Sequence, residues 1–322
     1  MKTRLTTALA VAALAVSTGF ASAQTWNMAT PYPDSNFHTQ NIKMFIDEVE
    51  AATDLDITLH SNASLLKMPE IKRGVQTNQA QLGEILLSAY GNEDPMFRVD
   101  SIPFLAPGYV NGIKLWHLSK PVIEEKFRSQ GLIPLFSVAW PGQGIYTAEP
   151  VESAADFEGV KFRAYNAATA RLAELMGAVP TTVQAAEIPQ AFATGIVSAM
   201  ITSAATGVDS QSWDFANNYY NARAMNTKNL VFVNADAFNG LDEAAQAAIM
   251  AAAARAEVRG WLMSAEAEAA TTARLAEEGM AVADPPAPLL EDLKAAGSTM
   301  SQEWLEDAGD EGKALLDAMN AN

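Results

Sequence analysis

Arg163 and Tyr165 stand two residues apart in the run Val160-Lys161-Phe162-Arg163-Ala164-Tyr165, where apolar and polar side chains alternate with the period of a β-strand. The alternation puts Arg163 and Tyr165 on one face and Val160, Phe162 and Ala164 on the other. An arginine in that position is either a solvated edge charge or a clamp for an anion, and the pattern alone leaves both open. Downstream of Asn166, the residues Ala168, Leu172, Leu175 and Met176 recur on one helical face, and Gly177 stands where a left-handed residue closes a helix. A strand about residues 181–183, a short helix over 186–193 closed by Gly195, and an apolar strand over 196–201 complete a strand-helix-strand-helix-strand unit. Such units build parallel sheets, and ligands sit at the carboxyl ends of their strands. Arg163, Tyr165 and Asn166 fall at one such end, Thr202 and Ser203 at another.

The same rule selects residues nearer the start of the chain. A first strand over 26–29 is followed by a polar, proline-broken loop carrying Tyr32 and Asn36, with His38 just beyond it. For His38 alone, a polar loop residue and a ligand contact are both open. A buried strand over 82–87 runs into Ser88 and Tyr90. After a strand over 132–138, Trp140 stands beside Pro141-Gly142 and Gln143. That tryptophan is either a packing residue or a face on which a flat ligand stacks.

The remaining elements hold these ends in place. Ile42, Phe45, Ile46 and Val49 form one apolar stripe on a helix reaching about residue 52, and Leu55, Ile57 and Leu59 alternate as a strand. Pro69 suits the first turn of a helix. Helical patterns over 110–118 and 121–130 follow, and an aromatic-rich stretch over 210–220 precedes an apolar strand over 230–233. Residues 241–280 contain no proline and a single internal glycine, Gly260, before Gly279; as one helix they would run on the order of 55–60 Å. A coiled coil or a pair of helices broken at Gly260 are the alternatives. Since Ile249, Ala253, Val258, Trp261, Leu262 and Leu275 keep no heptad, the pattern favours one helix along two lobes. Pro285-Pro286-Ala287-Pro288 leads to the C-terminal helices over 287–322. The layout is a first lobe over 24–147, completed by parts of 234–322, and a second lobe over 148–233.

Composition narrows the function. Among 322 residues, Lys2 and Arg4 precede an apolar run from Ala8 to Phe20 and the small-x-small site Ala21-Ser22-Ala23. This reads as a secretory signal peptide over residues 1–23, because the run is shorter than the roughly 20 apolar residues of a membrane span. The chain holds no cysteine, hence no disulfide and no lipid-anchored thiol, and the mature protein is expected free in the periplasm, without direct membrane insertion. Loss of Lys2 and Arg4 takes the formal charge from −17 to −19, which argues against a nucleic-acid partner. The motifs G-x-S-x-G, H-E-x-x-H, the P-loop and G-x-G-x-x-G are absent, and His38, His60 and His117 are far apart in sequence. A binding protein without metal or cofactor fits better than a secreted hydrolase or lyase.

Five features resemble one family: the signal peptide, Lys67-Met68-Pro69-Glu70-Ile71-Lys72-Arg73-Gly74-Val75-Gln76, Asp100-Ser101-Ile102-Pro103-Phe104-Leu105, Phe157-Glu158-Gly159-Val160-Lys161-Phe162-Arg163, and the stretch from Glu187 through Gly195 with Ile196-Val197. The family is the DctP-type periplasmic receptors of tripartite ATP-independent periplasmic (TRAP) transporters, and the resemblance covers the whole mature chain. It implies an α/β, two-lobed, type II-like periplasmic binding protein fold with a long helix spanning both lobes. It also implies delivery of a small organic acid to membrane permease subunits, uptake driven by an ion gradient, and a carboxylate held by Arg163. Members that bind sugar acids usually carry a second arginine where this chain has Gln143-Gly144-Ile145, and a more polar strand where it has residues 196–203. The site has thus lost charge. With Trp140, Tyr165, Tyr90 and Phe104 at hand, a small monocarboxylate of the benzoate or hydroxybenzoate type is favoured, and a hydroxy- or keto-acid is the competing ligand.

Overall fold

The computed structural model describes residues 24–321; the secretion signal assigned to residues 1–23 lies outside them. The first four strands, β1 (Gln24–Ala29), β2 (Leu55–His60), β3 (Leu82–Leu86) and β4 (Leu132–Ala139), lie in one sheet. The next five, β5 (Gln143–Thr147), β6 (Lys161–Ala164), β7 (Val179–Thr182), β8 (Ala199–Ser203) and β9 (Asn218–Tyr220), lie in another. Strand β10 (Lys228–Asn234) returns to the first sheet, and β11 (Ala281–Ala283) to the second. The strand orders are β2-β1-β3-β10-β4 and β11-β9-β5-β8-β6-β7. Sheet membership therefore changes at residues 140–142 and 221–227, whereas the sequence pattern places the lobe boundaries at 147/148 and 233/234. Pairing decides the matter: β5 bonds antiparallel to β8, and β10 to β3 and β4.

Nine helices among the described residues cover the sheets: α1 (Phe37–Glu50), α2 (Met68–Gln76), α3 (Gly108–Arg128), α4 (Ala167–Leu175), α5 (Ile188–Ala193), α6 (Ala204–Asp209), α7 (Ala235–Asn239), α8 (Glu243–Glu277) and α9 (Ala287–Asn320). The period of two in β10 sends Val231 and Val233 into the core shared with Phe45 of α1 and Ile249 of α8. It sends Leu230 and Phe232 into the opposite core, with Ile71 of α2 and Phe127 of α3. In the second lobe Phe162, Ala199 and Ile201 pack with Leu172 of α4 and Trp304 of α9, while Met200 faces Ile188 and Tyr219.

The two helical patterns over 110–118 and 121–130 form one helix, α3, with Pro121 inside it. The proline removes one intrahelical bond, and the continuous buried face of Leu115, Trp116, Ile123 and Phe127 offsets that loss. Helix α8 is also unbroken: its 35 residues span about 50 Å, and the Asp242 side chain accepts from the Ala245 amide at 2.8 Å to cap it. It touches α1 and β4 of the first lobe and α6 and β11 of the second. Helix α9 bends at Gly309, whose φ of 55° and ψ of −135° suit glycine alone, and this separates the terminal helix from the longer one before it. No helix among the described residues is long and apolar enough to cross a membrane.

Candidate functional site

Strand β6 lies parallel between β8 and β7, so its carboxyl end opens at the edge where the second lobe meets the first. There a cavity of about 280 Å³ is enclosed by side chains of both lobes. Tyr32, Met68, Leu86 and Trp140 line it from the first lobe, and Gln143, Arg163, Tyr165, Thr202 and Ser203 from the second. Seven of the residues selected from sequence therefore meet in one place: Tyr32, Trp140, Gln143, Arg163, Tyr165, Thr202 and Ser203.

The alternation in β6 puts Phe162 and Ala164 in the core, but the opposite face is not solvent, because Arg163 is only 2% exposed. Its Nε donates to the carbonyl of Val183, just past β7, at 2.9 Å. Its Nη1 is buried without a partner, and its guanidinium carbon lies 5.0 Å from the centre of the Tyr165 ring. No carboxylate among the described residues pairs with it. Burial pushes the guanidinium down to about 10, which leaves it cationic at neutral pH. A buried cation with spare donors is costly in an apolar setting unless an anion completes it.

Around this charge several polar groups already have partners. The Tyr165 hydroxyl donates to Gln143 Oε1 at 2.6 Å, and Gln143 Nε2 donates to Thr227 Oγ1 at 2.9 Å. Ser203 is the N-cap of α6, its hydroxyl accepting from the Thr206 amide at 3.2 Å. Trp140 Nε1 and the Tyr32 hydroxyl both donate to Asn229 Oδ1, at 2.8 and 3.2 Å. The rings of Tyr32 and Trp140 meet edge to face at 4.9 Å. The buried Arg163 end of the cavity thus faces walls in which the rings of Tyr32, Trp140 and Tyr165 and the side chains of Met68 and Leu86 supply the apolar surface.

Five selected residues do not line the cavity. Asn36 caps α1 by accepting from the His38 amide at 2.9 Å, and its amide nitrogen crosses to the second lobe, donating to Asp209 at 2.6 Å. Asn166 caps α4 through the Thr169 amide at 2.8 Å and donates across the cleft to Ser88 Oγ at 2.9 Å. Asn36, Asn166 and Ser88 are thus bridges between lobes. Tyr90 ends a 3₁₀ turn over Leu87–Tyr90, not a strand, and its hydroxyl is used on the Met68 carbonyl at 3.0 Å. Phe104 packs against the core below the second sheet, with its amide on the Ala224 carbonyl at 2.7 Å. His38 lies inside α1, buried and held neutral by desolvation, with its ring 4.4 Å from that of Trp140.

The sequence reading passes over Asn62, Ala63 and Lys67, and Gln184 through Glu187, all of which reach the cavity. Asn62 and Ala63 follow β2, and Gln184 to Glu187 follow β7. The carboxyl-end rule that selected Tyr32 and Arg163 applies to them equally. Thr227 enters from the crossing segment before β10, which carries no local signal. Among the described residues no three side chains are grouped to hold a metal ion.

Two α/β lobes joined by crossing strands and a shared long helix, with a buried arginine in the cavity between them, define the class of two-lobed solute receptors. Residues 28–307 match the bacterial extracellular solute-binding protein family 7 (DctP), and the chain belongs to that family. It resembles DctP6, a Bordetella pertussis extracytoplasmic solute receptor binding pyroglutamic acid, at 45% identity and a TM-score of 0.90, covering 92% of this chain and 99% of that one. DctP7 of the same organism, also binding pyroglutamic acid, is similar at 47% identity and a TM-score of 0.91, covering 93% and 100%. A marine metagenome TRAP solute-binding protein specific for pyroglutamate is similar at 38% identity and a TM-score of 0.91, covering 92% and 99%. The chain is thus an extracytoplasmic TRAP receptor rather than an enzyme, and its partners are a small organic acid and membrane permease subunits.

Proposed function

We propose that the chain is secreted by cleavage after Ala23 and binds a small, ring-shaped monocarboxylate whose carboxylate is clamped by Arg163. Pyroglutamate is the first ligand to test, and benzoate-type acids are the aromatic acids of the same outline. The observation that carries this reading is the buried guanidinium with an unpartnered Nη1 at one end of a mostly apolar cavity. A planar guanidinium gives a carboxylate two parallel, charge-assisted hydrogen bonds, and the closed cleft keeps water from competing. The rings of Trp140, Tyr32 and Tyr165 suit the face of a flat ligand. A volume of about 280 Å³ sits at the small end of the roughly 300–1,000 Å³ of ligand sites, which favours a ligand of few atoms. The pyroglutamate bound by three relatives of 38–47% identity is such an acid.

The test is a thermal-shift and calorimetric screen of the mature protein with L-pyroglutamate, benzoate, 4-hydroxybenzoate, lactate, pyruvate and a sugar acid. At a hundredfold excess over Kd a true ligand stabilises by about 2.7 kcal/mol, a readily visible shift. Pyroglutamate or benzoate should raise the melt and Arg163→Ala should abolish the response. A response confined to lactate, pyruvate or the sugar acid, or an unchanged response in Arg163→Ala, overturns the proposal.

A further inference from the structure

Asn229, on β10, is 1% exposed and does not line the cavity, yet three groups converge on its amide. Its Oδ1 accepts from Trp140 Nε1 at 2.8 Å and from the Tyr32 hydroxyl at 3.2 Å. Its Nδ2 donates to Glu84 Oε1 at 2.9 Å, and the other Glu84 oxygen accepts from Thr30 Oγ1 at 2.5 Å. The orientation of this amide is forced by chemistry. An indole N–H can only donate, so the oxygen of Asn229 must face Trp140, and the nitrogen is thereby turned to Glu84. One buried carboxylate on β3 thereby fixes an amide on β10, which fixes two rings of the first-lobe wall.

We propose that Asn229 is a positioning residue that makes the receptor select a flat ring over an open-chain polyhydroxy acid. This rests on the reading of the cavity as a carboxylate site. By consuming the Trp140 N–H and the Tyr32 O–H, Asn229 turns both polar handles away from the ligand, so these two residues offer ring faces and no donors, while the polar groups of Asn62 and Lys67 reach the cavity elsewhere on the same lobe. A ring packs against such faces. The hydroxyls of a sugar acid lose their water there without a partner, and a buried unpartnered hydroxyl is heavily penalised. Selection then comes from a side chain that never touches the ligand.

The test is a cycle of Asn229→Leu in the parent and in the Trp140→Phe/Tyr32→Phe background, read by calorimetry with L-pyroglutamate and by near-ultraviolet circular dichroism without ligand. Asn229→Leu should weaken pyroglutamate binding at least tenfold in the parent and less than twofold in the double background, where the amide has no donors left to hold. Its near-ultraviolet change should vanish once Trp140 is phenylalanine. Asn229→Asp, which keeps the acceptor oxygen, should retain affinity within a few-fold at pH 5, where the Asp-Glu pair holds a proton. Equal losses in both backgrounds, parental affinity in Asn229→Leu, or a spectral change that persists without Trp140 overturns the assignment. If the parent binds no pyroglutamate, the ligand reading falls, and the spectral arm decides the positioning role by itself. If Asn229→Leu does not fold, Asn229→Asp carries the test, and failure to bind at pH 5 counts against the role.

Discussion

The guanidinium of Arg163 lies 5.0 Å from the centre of the Tyr165 ring, while the Tyr165 hydroxyl points away to Gln143 at 2.6 Å. Burial pushes that phenol well above its usual range, so Tyr165 gives the cation a π-face and no counter-charge. The guanidinium is therefore left with a buried Nη1 donor that no protein group satisfies.

A consequence is that affinity and ligand-free stability oppose each other at this position. Arg163→Met should raise the ligand-free stability by on the order of 1–3 kcal/mol, seen as a higher melting point, because it removes an unpaired buried charge while keeping a long apolar stem. The same variant should lose all thermal response to a carboxylate. Arg163→Lys keeps the charge but not the fork, and should weaken binding about a hundredfold, the equivalent of about 3 kcal/mol. A lysine variant binding as the parent would show that geometry at this residue is irrelevant.

The hydrogen bond from Asn36 to Asp209 joins the N-cap of α1 to the last residue of α6 across the cleft. Burial raises the Asp209 carboxyl to about 6, above its free value of 3.8. A lobe opening that returned Asp209 to solvent would bring its carboxyl back toward 3.8, so on this reading closure takes up a proton. Closing is thus most favourable below about pH 4 and loses that advantage as pH rises through 6. The radius of gyration of the ligand-free protein should grow from pH 5 to pH 8, and Asp209→Asn should flatten that dependence. An unchanged pH profile in Asp209→Asn would remove this carboxyl from the closing equilibrium.

Glu84 gives a second pH signature, in stability. Desolvation raises its carboxyl from 4.5 to about 7, against the hydrogen bonds from Thr30 and Asn229. His38 lies 3.4 Å away and is held neutral by burial, and the Tyr32 phenol is pushed up by burial and in part by the Glu84 charge. The folded protein binds this proton more tightly than the unfolded chain, so its contribution is complete below about pH 4.5 and fades as pH rises through 7. Glu84→Gln removes that dependence. Parent minus variant stability, by urea melts at pH 5 and pH 8, should fall with rising pH by up to about 3 kcal/mol. A difference that stays constant would mean the group titrates in its ordinary range.

Most of the architecture is legible in local pattern: the alternation in β6, the stripe of α1, and the unbroken composition of α8 all carry their own period. The cationic end of the site is legible too, since Arg163 and Tyr165 sit at a strand's carboxyl end. What the chain hides is which polar side chains are already satisfied. Asn36, Asn166 and Ser88 look like ligand contacts by position, yet the structure uses them between lobes, because an amide with a capping oxygen still has a nitrogen to spend. Phe104 reads as a cleft aromatic but follows Pro103 into the core. Asn229 and Glu84 lie in buried strands where sequence shows only polar interruptions, and their meaning depends on pairings 145 residues apart.

Gly260 offers a test of the long helix as a strut rather than a passive cover. Helix α8 passes so close to β4 that a Cβ at this position would overlap the Val138 side chain and lie 2.7 Å from Asn41 Nδ2. That amide is already committed, donating to the Ala256 carbonyl at 2.9 Å while its oxygen accepts from Arg259 at 2.8 Å. Alanine would gain about 1 kcal/mol of helix propensity over glycine. Overpacking against a β-branched side chain and a fixed amide costs about 1–3 kcal/mol, so the net effect should be destabilising. Because the contact lies on the first-lobe face of the helix and no cavity residue takes part, Gly260→Ala should lower the urea midpoint while leaving ligand affinity within about twofold. A stabilised variant would mean that the helix can shift away from β4 at little cost, and a large loss of affinity would mean that the position of the strut reaches the cleft.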